Sequence, residues 1–329
     1  MSSKPHQTKK PAAGLHPRNR HQGRYDFKTL GATSPELLAY LVPGQEGNTT
    51  LDFTDPNAVK ALNRALLLHH YGIRDWDIPA GYLCPPVPGR ADYVHALADL
   101  LGESHDGHIP KGRNLVGLDI GTGANAIYPL IGSKEYKWRF VGTDIDPKAL
   151  SNAQAIIDAN SGLADHISLR LQADPANLFH GIIAADEHFD FTLCNPPFYA
   201  SAAAAQEQSR RKWRNLEKTT GKAVTPHQSF GGQGTELYCD GGEAGFLSRL
   251  ITESAGAAAQ VFWFSSLVSK AANIKAMEEQ LKVLGATDIR VIGMTQGLKH
   301  SRLLAWTFRD KKQRRAWRKA RWSTTRPVA

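Results

Sequence analysis

Leu115-Val116-Gly117-Leu118-Asp119-Ile120-Gly121-Thr122-Gly123 is a short apolar run that ends in a glycine turn. Glycines at a strand end let a ligand approach the backbone closely, and the helix that follows presents free N–H groups to it. The turn is not a complete dinucleotide fingerprint, because Ala126 stands where the third glycine belongs. Beyond it, strand-like segments recur at 139–144, 167–171, 189–194, 259–265, 289–294 and 303–308. Helical spacing joins Ala149, Ala153, Ile156 and Ile157, and a further helix is predicted over 274–284. This alternation predicts an α/β fold on a doubly wound, mostly parallel sheet of seven strands, the last two close enough to pair antiparallel.

Two features on that frame carry chemistry. Asp144 ends the second strand about twenty residues past the glycine turn, where a carboxylate accepts from ribose hydroxyls of NAD or S-adenosylmethionine. Asp174, past the third strand, is predicted to meet the adenine amine of that cofactor. Asn195-Pro196-Pro197-Phe198 directly follows the fourth strand. Two prolines cannot continue a central strand, so the chain turns out at its carboxyl end, where open α/β sheets bind ligands. An aromatic amine is a poor nucleophile because its lone pair is delocalised into the ring. The Asn195 amide oxygen and the Pro196 carbonyl can both accept from such an amine, which aims its nitrogen at a methyl donor. This is positioning and electrostatics without a covalent intermediate. Phe198 is predicted to stack on the base.

The rest of the chain suggests a polyanionic partner. The 329 residues carry a net charge of +9, of which residues 1–28 hold +6 and residues 309–329 hold +8, leaving the body at −5. Basic ends suit nucleic acid, through phosphate contact and counterion release. We expect a disordered basic arm over residues 1–33, with Arg18 and Arg20 touching RNA, and a basic tail over 310–329, with Arg314, Arg315 and Arg318 doing the same. Within that tail, Lys311 to Trp322 reads as a helix with Trp317 and Trp322 among the cations. Between arm and sheet lies a helical module, 34–110, either an extension of the RNA groove or a packing cap. Asp55-Pro56 starts one of its helices and Gly72 stops it; Tyr93–Leu101 is another, and Cys84–Arg90 reads as extended, fixed by its prolines. The domain proper is 111–309. Residues 201–245 are long for a connection, and their Arg210, Arg211 and Lys212 are further candidates for RNA contact. Cys84, Cys194 and Cys239 form neither a CxxC pair nor a ligand set with histidine, so no metal site or disulfide framework is predicted. No apolar run is long enough for a bilayer, and a cytoplasmic monomer is the expectation.

The Asp119–Gly123 turn, the acid after the second strand and the Asn-Pro-Pro-Phe turn together resemble the seven-strand, Rossmann-like class I methyltransferases that modify amino nitrogens. More narrowly, the chain is similar to the adenine-N6 RNA methyltransferases of METTL-sixteen type, whose bacterial branch acts on 23S ribosomal RNA. The narrower likeness rests on Pro86–Tyr93, on Asp119–Leu130, on Cys194–Phe198, and on Gly241-Gly242-Glu243, Gln296-Gly297 and Leu304–Phe308. It spans about 52–308. The resemblance implies S-adenosylmethionine as cofactor and 23S rRNA, or a large-subunit precursor, as partner. It also implies that Arg90 holds the donor's methionine carboxylate, that Asp119, Gly121, Gly123 and Asn125 line the donor, and that Asn195 holds the target amine beside it. Two other classes fit the residues less completely. A protein glutamine-amide methyltransferase uses a similar turn but leaves the basic ends unexplained. A non-catalytic RNA-binding assembly factor leaves Asn195 and Arg90 without a task.

Overall fold

The computed structural model describes residues 14–44, 47–204, 206–207, 234–296 and 299–322. Helix α1 (Phe27–Thr33) leads through a 3-10 segment to a small hairpin, β1 (Leu41–Pro43) and β2 (Thr49–Leu51). Helices α2 (Pro56–Tyr71) and α3 (Val87–Glu103) follow. Next come β3 (Val116–Ile120), α4 (Ile127–Tyr136), β4 (Arg139–Asp144), α5 (Pro147–Asp158), β5 (Ile167–Leu171) and β6 (Phe189–Cys194). The chain ends with α6 (Gly242–Gly256), β7 (Val261–Val268), α7 (Ala272–Val283), β8 (Asp288–Gln296), β9 (Lys299–Thr307) and α8 (Lys311–Arg321). No described helix is long and apolar enough to cross a membrane.

The seven larger strands form one sheet in the order β5-β4-β3-β6-β7-β9-β8. The first five run parallel, while β9 pairs antiparallel with both β7 and β8. Central β6 is buried at every position, as a parallel strand covered on both faces must be. Close packing at its start needs Gly117 on β3, where a Cβ would run into the rings of Phe191 and Phe140. Leu247, Leu250 and Ile251 of α6 and Met277 and Leu281 of α7 cover one face. On the other, Leu66 and Leu97 of the helical module share a core with Leu130, Ile131 and Phe191. Residues 34–110 are therefore not a separate packing unit but one flank of the sheet domain.

Three expectations need correction. From Gly14 onward the arm is ordered. Asn19 and His21 are buried, and the Asn19 amide donates to the Pro88 carbonyl at 2.8 Å and to Asp92. Arg18 pairs with Asp99 and donates to the His95 carbonyl; Arg20 pairs with Glu135 and lies over the Tyr71 ring. The Arg18–Asp99 side chains are 38% and 47% exposed, so that pair contributes at most about 1 kcal/mol. The buried Asn19 and His21 are what fasten the arm. Desolvation holds the His21 pKa down to about 3, so it stays neutral at ordinary pH.

The second correction concerns Val87–Arg90, which is the first turn of α3 rather than an extended stretch. Proline is tolerated there, because first-turn N–H groups have no intrahelical partner to lose. The third concerns the tail. Asp310 and Gln313 form a capping box that starts α8, and Trp317 and Trp322 are buried. Both indole N–H groups donate to Asp190 Oδ1 on β6 at 2.7 Å, while Val116 N–H donates to its Oδ2 at 2.8 Å. Arg314 pairs with Asp288 and Arg318 with Asp106, so of the three tail arginines only Arg315 is exposed. Arg210, Arg211 and Lys212 lie outside the described residues.

Asp190→Ala would leave two indole donors and the Arg321 guanidinium without their buried acceptor. The expected loss is roughly 3–5 kcal/mol, or a drop of roughly 10 °C in Tm, read by thermal unfolding. An unchanged Tm would show that α8 is not held by this carboxylate.

Candidate active site

Strand order reverses at β3 and β6, and a cavity of about 340 Å³ opens at their carboxyl ends. The glycine turn forms its floor. Gly121 and Gly123 both take left-handed backbone, φ +73° and +65°, and apart from Gly121 and its two chain neighbours no atom of the described residues lies within 4 Å of where a Gly121 Cβ would stand. Asp144, at the end of β4, braces the turn: its Oδ2 accepts from Gly123 N–H at 2.9 Å and its Oδ1 from Asp146 N–H at 3.0 Å. Burial raises the Asp144 pKa, and those two N–H groups pull it back. Exposed Ile145, with Gln172, Pro175 and Asn177, lines the same end of the cavity. Asn125 caps the start of α4, accepting from Ile127 N–H at 3.1 Å.

The opposite wall comes from α3 and from the turn after β6. Arg90 is 9% exposed, and its Nη1 donates to the Tyr128 hydroxyl at 2.8 Å and to Asn195 Oδ1 at 3.0 Å. Arg90 and Asn195 also line a second, smaller pocket of about 40 Å³, shared with Phe198, Leu267, Ser269, Met294 and Ser301. These two side chains thus form the partition between a large cavity and a small one. Buried Glu243 fixes the far rim, accepting from Ser269 N–H at 2.6 Å, Lys270 N–H at 3.0 Å and the Asn273 amide at 2.7 Å. The segment after Phe198 starts and ends in one place, because Phe198 and Tyr199 N–H donate to the Leu237 carbonyl.

Asp119 lies beneath the glycine turn without lining the cavity. It is fully buried, and neither carboxylate oxygen has a hydrogen-bond partner among the described residues. Burial, helped by the charge of Asp144, pushes its pKa up to about 7, against the pull of Thr122 and Arg90.

The structure therefore brings Arg90, Gly121, Gly123, Asn125, Asp144, Asn195 and Pro197 to one cavity and Phe198 to its neighbour. Pro196 is buried within the turn. Asp174 is not brought there: its carboxylate caps its own loop, accepting from Ala176 N–H and the Asn177 amide. Sequence reasoning missed Glu236, whose Oε2 accepts from Leu83 N–H at 2.9 Å and whose Oε1 would lie 3.1 Å from a Cβ on Gly123. Nothing in its local sequence pattern marks it. It also gave no role to Tyr128, although the aromatic stands within the quoted Asp119–Leu130 stretch. Among the described residues no cluster of His, Cys, Asp or Glu is poised to hold a metal ion.

These residues fit S-adenosylmethionine. The volume falls in the range of small-molecule sites, the floor above Gly121 is open, and a carboxylate stands at the end of β4. The Arg90 guanidinium, which lines the cavity, suits a carboxylate.

Comparison with known proteins agrees. The profile of a family described as RNA methyltransferase matches residues 9–310. The ribosomal RNA large subunit methyltransferase F of Pseudomonas aeruginosa (strain LESB58) is 59% identical over 322 residues, covering 98% of this chain and 96% of that protein. The protein of the same name from Yersinia enterocolitica is 52% identical, covering 95% and 93%. Among solved structures, the human METTL16 catalytic domain in complex with a MAT2A 3′UTR hairpin is 30% identical with a TM-score of 0.76, covering 90% of this chain and 96% of that one. The N-terminal domain of human METTL16 in complex with SAH is 28% identical with a TM-score of 0.71, covering 90% and 100%.

The raised Asp119 pKa has a signed consequence. An unfolded aspartate ionises near pH 4 and the folded one only near 7, so folding loses stability as pH rises across that interval. Asp119→Asn removes the penalty. The Tm advantage of the variant over the parent chain should be small at pH 4 and grow to a plateau above pH 7, in a thermal-shift series without added ligand. A constant difference across pH would mean that Asp119 is ionised throughout.

Proposed function

Because the chain belongs to the RNA methyltransferase family that matches it over residues 9–310, we propose that it methylates the N6 amine of an adenine in large-subunit ribosomal RNA. The donor is S-adenosylmethionine, which supplies an electrophilic methyl group. The observation that carries the reading is the place of Asn195, on the partition between the cavity that fits the donor and the pocket beside Phe198. An amine entering from the Phe198 side meets the Asn195 amide oxygen and the Pro196 carbonyl. Both accept from its N–H groups, which turns the nitrogen lone pair toward the donor cavity. Phe198 offers a face for the base. Arg90 answers the carboxylate of an amino-acid moiety, Asp144 a ribose, and Ile145 with Gln172 and Asn177 the far end of the donor, while Asp119 supports the glycine turn from beneath. Ribosomal RNA as the substrate class rests on the relatives that carry that name. A single chain contributes every group invoked here, so we infer a monomer acting in the cytoplasm, where ribosomal subunits are made.

The exposed cations of α8, Lys311, Lys312, Arg315 and Lys319, are the described part of the tail that this reading assigns to RNA. Arg18, Arg20, Arg314 and Arg318 are assigned to holding the protein together.

Labelled S-adenosylmethionine is incubated with the protein and naked rRNA, a precursor particle or the finished subunit, and the RNA is digested to nucleosides. Label should co-elute with N6-methyladenosine, and Asn195→Ala should slow transfer on the order of 10²-fold. Label in methylcytidine or in protein, or an Asn195→Ala variant of full activity, would overturn the reading.

A further inference from the structure

We propose that Arg90 is a positioning residue for Asn195, fixing the amide so that its oxygen faces the target amine whether or not a donor is bound. The inference rests on the functional reading above. An asparagine amide can present either an oxygen or an NH₂ group to a given neighbour, and the two choices look alike in shape. Presented with its NH₂ group, Asn195 would oppose a substrate amine donor to donor. A guanidinium is always protonated and offers only donors, so the amide atom that faces Arg90 must be the oxygen. Arg90 Nη1 meets Asn195 Oδ1 at 3.0 Å. An amide oxygen has two lone pairs, which leaves one for the amine.

The arginine is itself held. Tyr128 hydroxyl accepts from the same nitrogen at 2.8 Å, and the guanidinium carbon lies 5.5 Å from the centre of that ring. Tyr128 is buried and meets the Tyr93 ring edge-on, with centroids 5.2 Å apart. Tyr93 stands one turn beyond Arg90 on α3, and its hydroxyl accepts from Cys194 N–H at 3.2 Å. One helix therefore grips the turn twice, by the backbone of Cys194 and by the side chain of Asn195. Since Arg90 lines both cavities, the group that suits a donor carboxylate also orients the acceptor for the substrate amine. Holding a carboxylate alone needs neither the bond to Asn195 nor the second grip on its neighbour.

The test uses the full chain, labelled with ¹⁵N, without donor or RNA. The side-chain amide pair of Asn195 is assigned by its loss in Asn195→Ala. It should appear as one sharp pair in the parent chain. In Arg90→Met, which removes every donor, it should broaden or split, and in Arg90→Lys, which returns a donor, it should recover as a single pair. An unchanged pair in Arg90→Met would overturn the proposal. Should Arg90→Met not fold, Arg90→Gln, whose amide offers either a donor or an acceptor and so no longer forces the choice, should slow single-turnover transfer at saturating donor, and no slowing would overturn the proposal. A double variant with Asn195→Ala no more than twofold slower than Asn195→Ala alone supports action through Asn195, and losses that multiply overturn it. A parent chain that transfers no methyl group to any RNA would refute the functional reading, while the amide spectra would still judge the role of Arg90.

Discussion

Parallel pairing of β3 with β6 is the constraint on which the rest of this structure depends. The two strands run in register to the pair Ile120 and Cys194, and beyond it both chains must leave. On one side left-handed glycines carry the chain away below the cavity. On the other Pro196 and Pro197 lack the N–H groups that would continue a ladder. The gap between the two exits is the cavity, and most of its chemistry hangs from one lip or the other. Even the fit between the strands is set locally, since only glycine at 117 leaves room for the Phe191 and Phe140 rings.

Helix α3 turns that gap into a site. It packs against α4 through Tyr93 and Tyr128, and its first turn carries Arg90 across to Asn195. Glu243 does the corresponding work on the far rim, where its caged carboxylate fixes Ser269. The groups that meet substrates are thus held by buried, hydrogen-bonded neighbours on regular elements, the arrangement that keeps a site in place before anything binds.

Charge was the least reliable guide. The basic ends looked like free polyanion ligands, yet many of their cations answer acids of the body: Asp99 on α3, Glu135 on α4, Asp288 on β8 and Asp190 on β6. Two tryptophans bury against β6 and draw α8 onto the domain, so the helix is first a structural element. Its outward face still carries the exposed Lys311, Lys312, Arg315 and Lys319.

Much of this was legible in the chain itself. Strands β4, β5 and β6 have the bounds that their apolar runs predict, and Asp55 and Gly72 start and stop α2 as cap chemistry requires. Asp144 and Asn195 could be picked out because strand ends are encoded locally, by glycine, by proline and by the switch from alternating to helical spacing. Burial partners are not encoded that way. That β9 inserts between β7 and β8, that Arg18 and Arg314 spend their charge internally, and that Glu236 reaches Leu83 are set by residues tens to more than a hundred positions away. The sequence by itself determined the strand ends and the chemical groups they carry. Only the tertiary structure decided which of those groups meet, because a hydrogen bond such as that from Arg90 to Asn195 joins positions whose proximity no local pattern records.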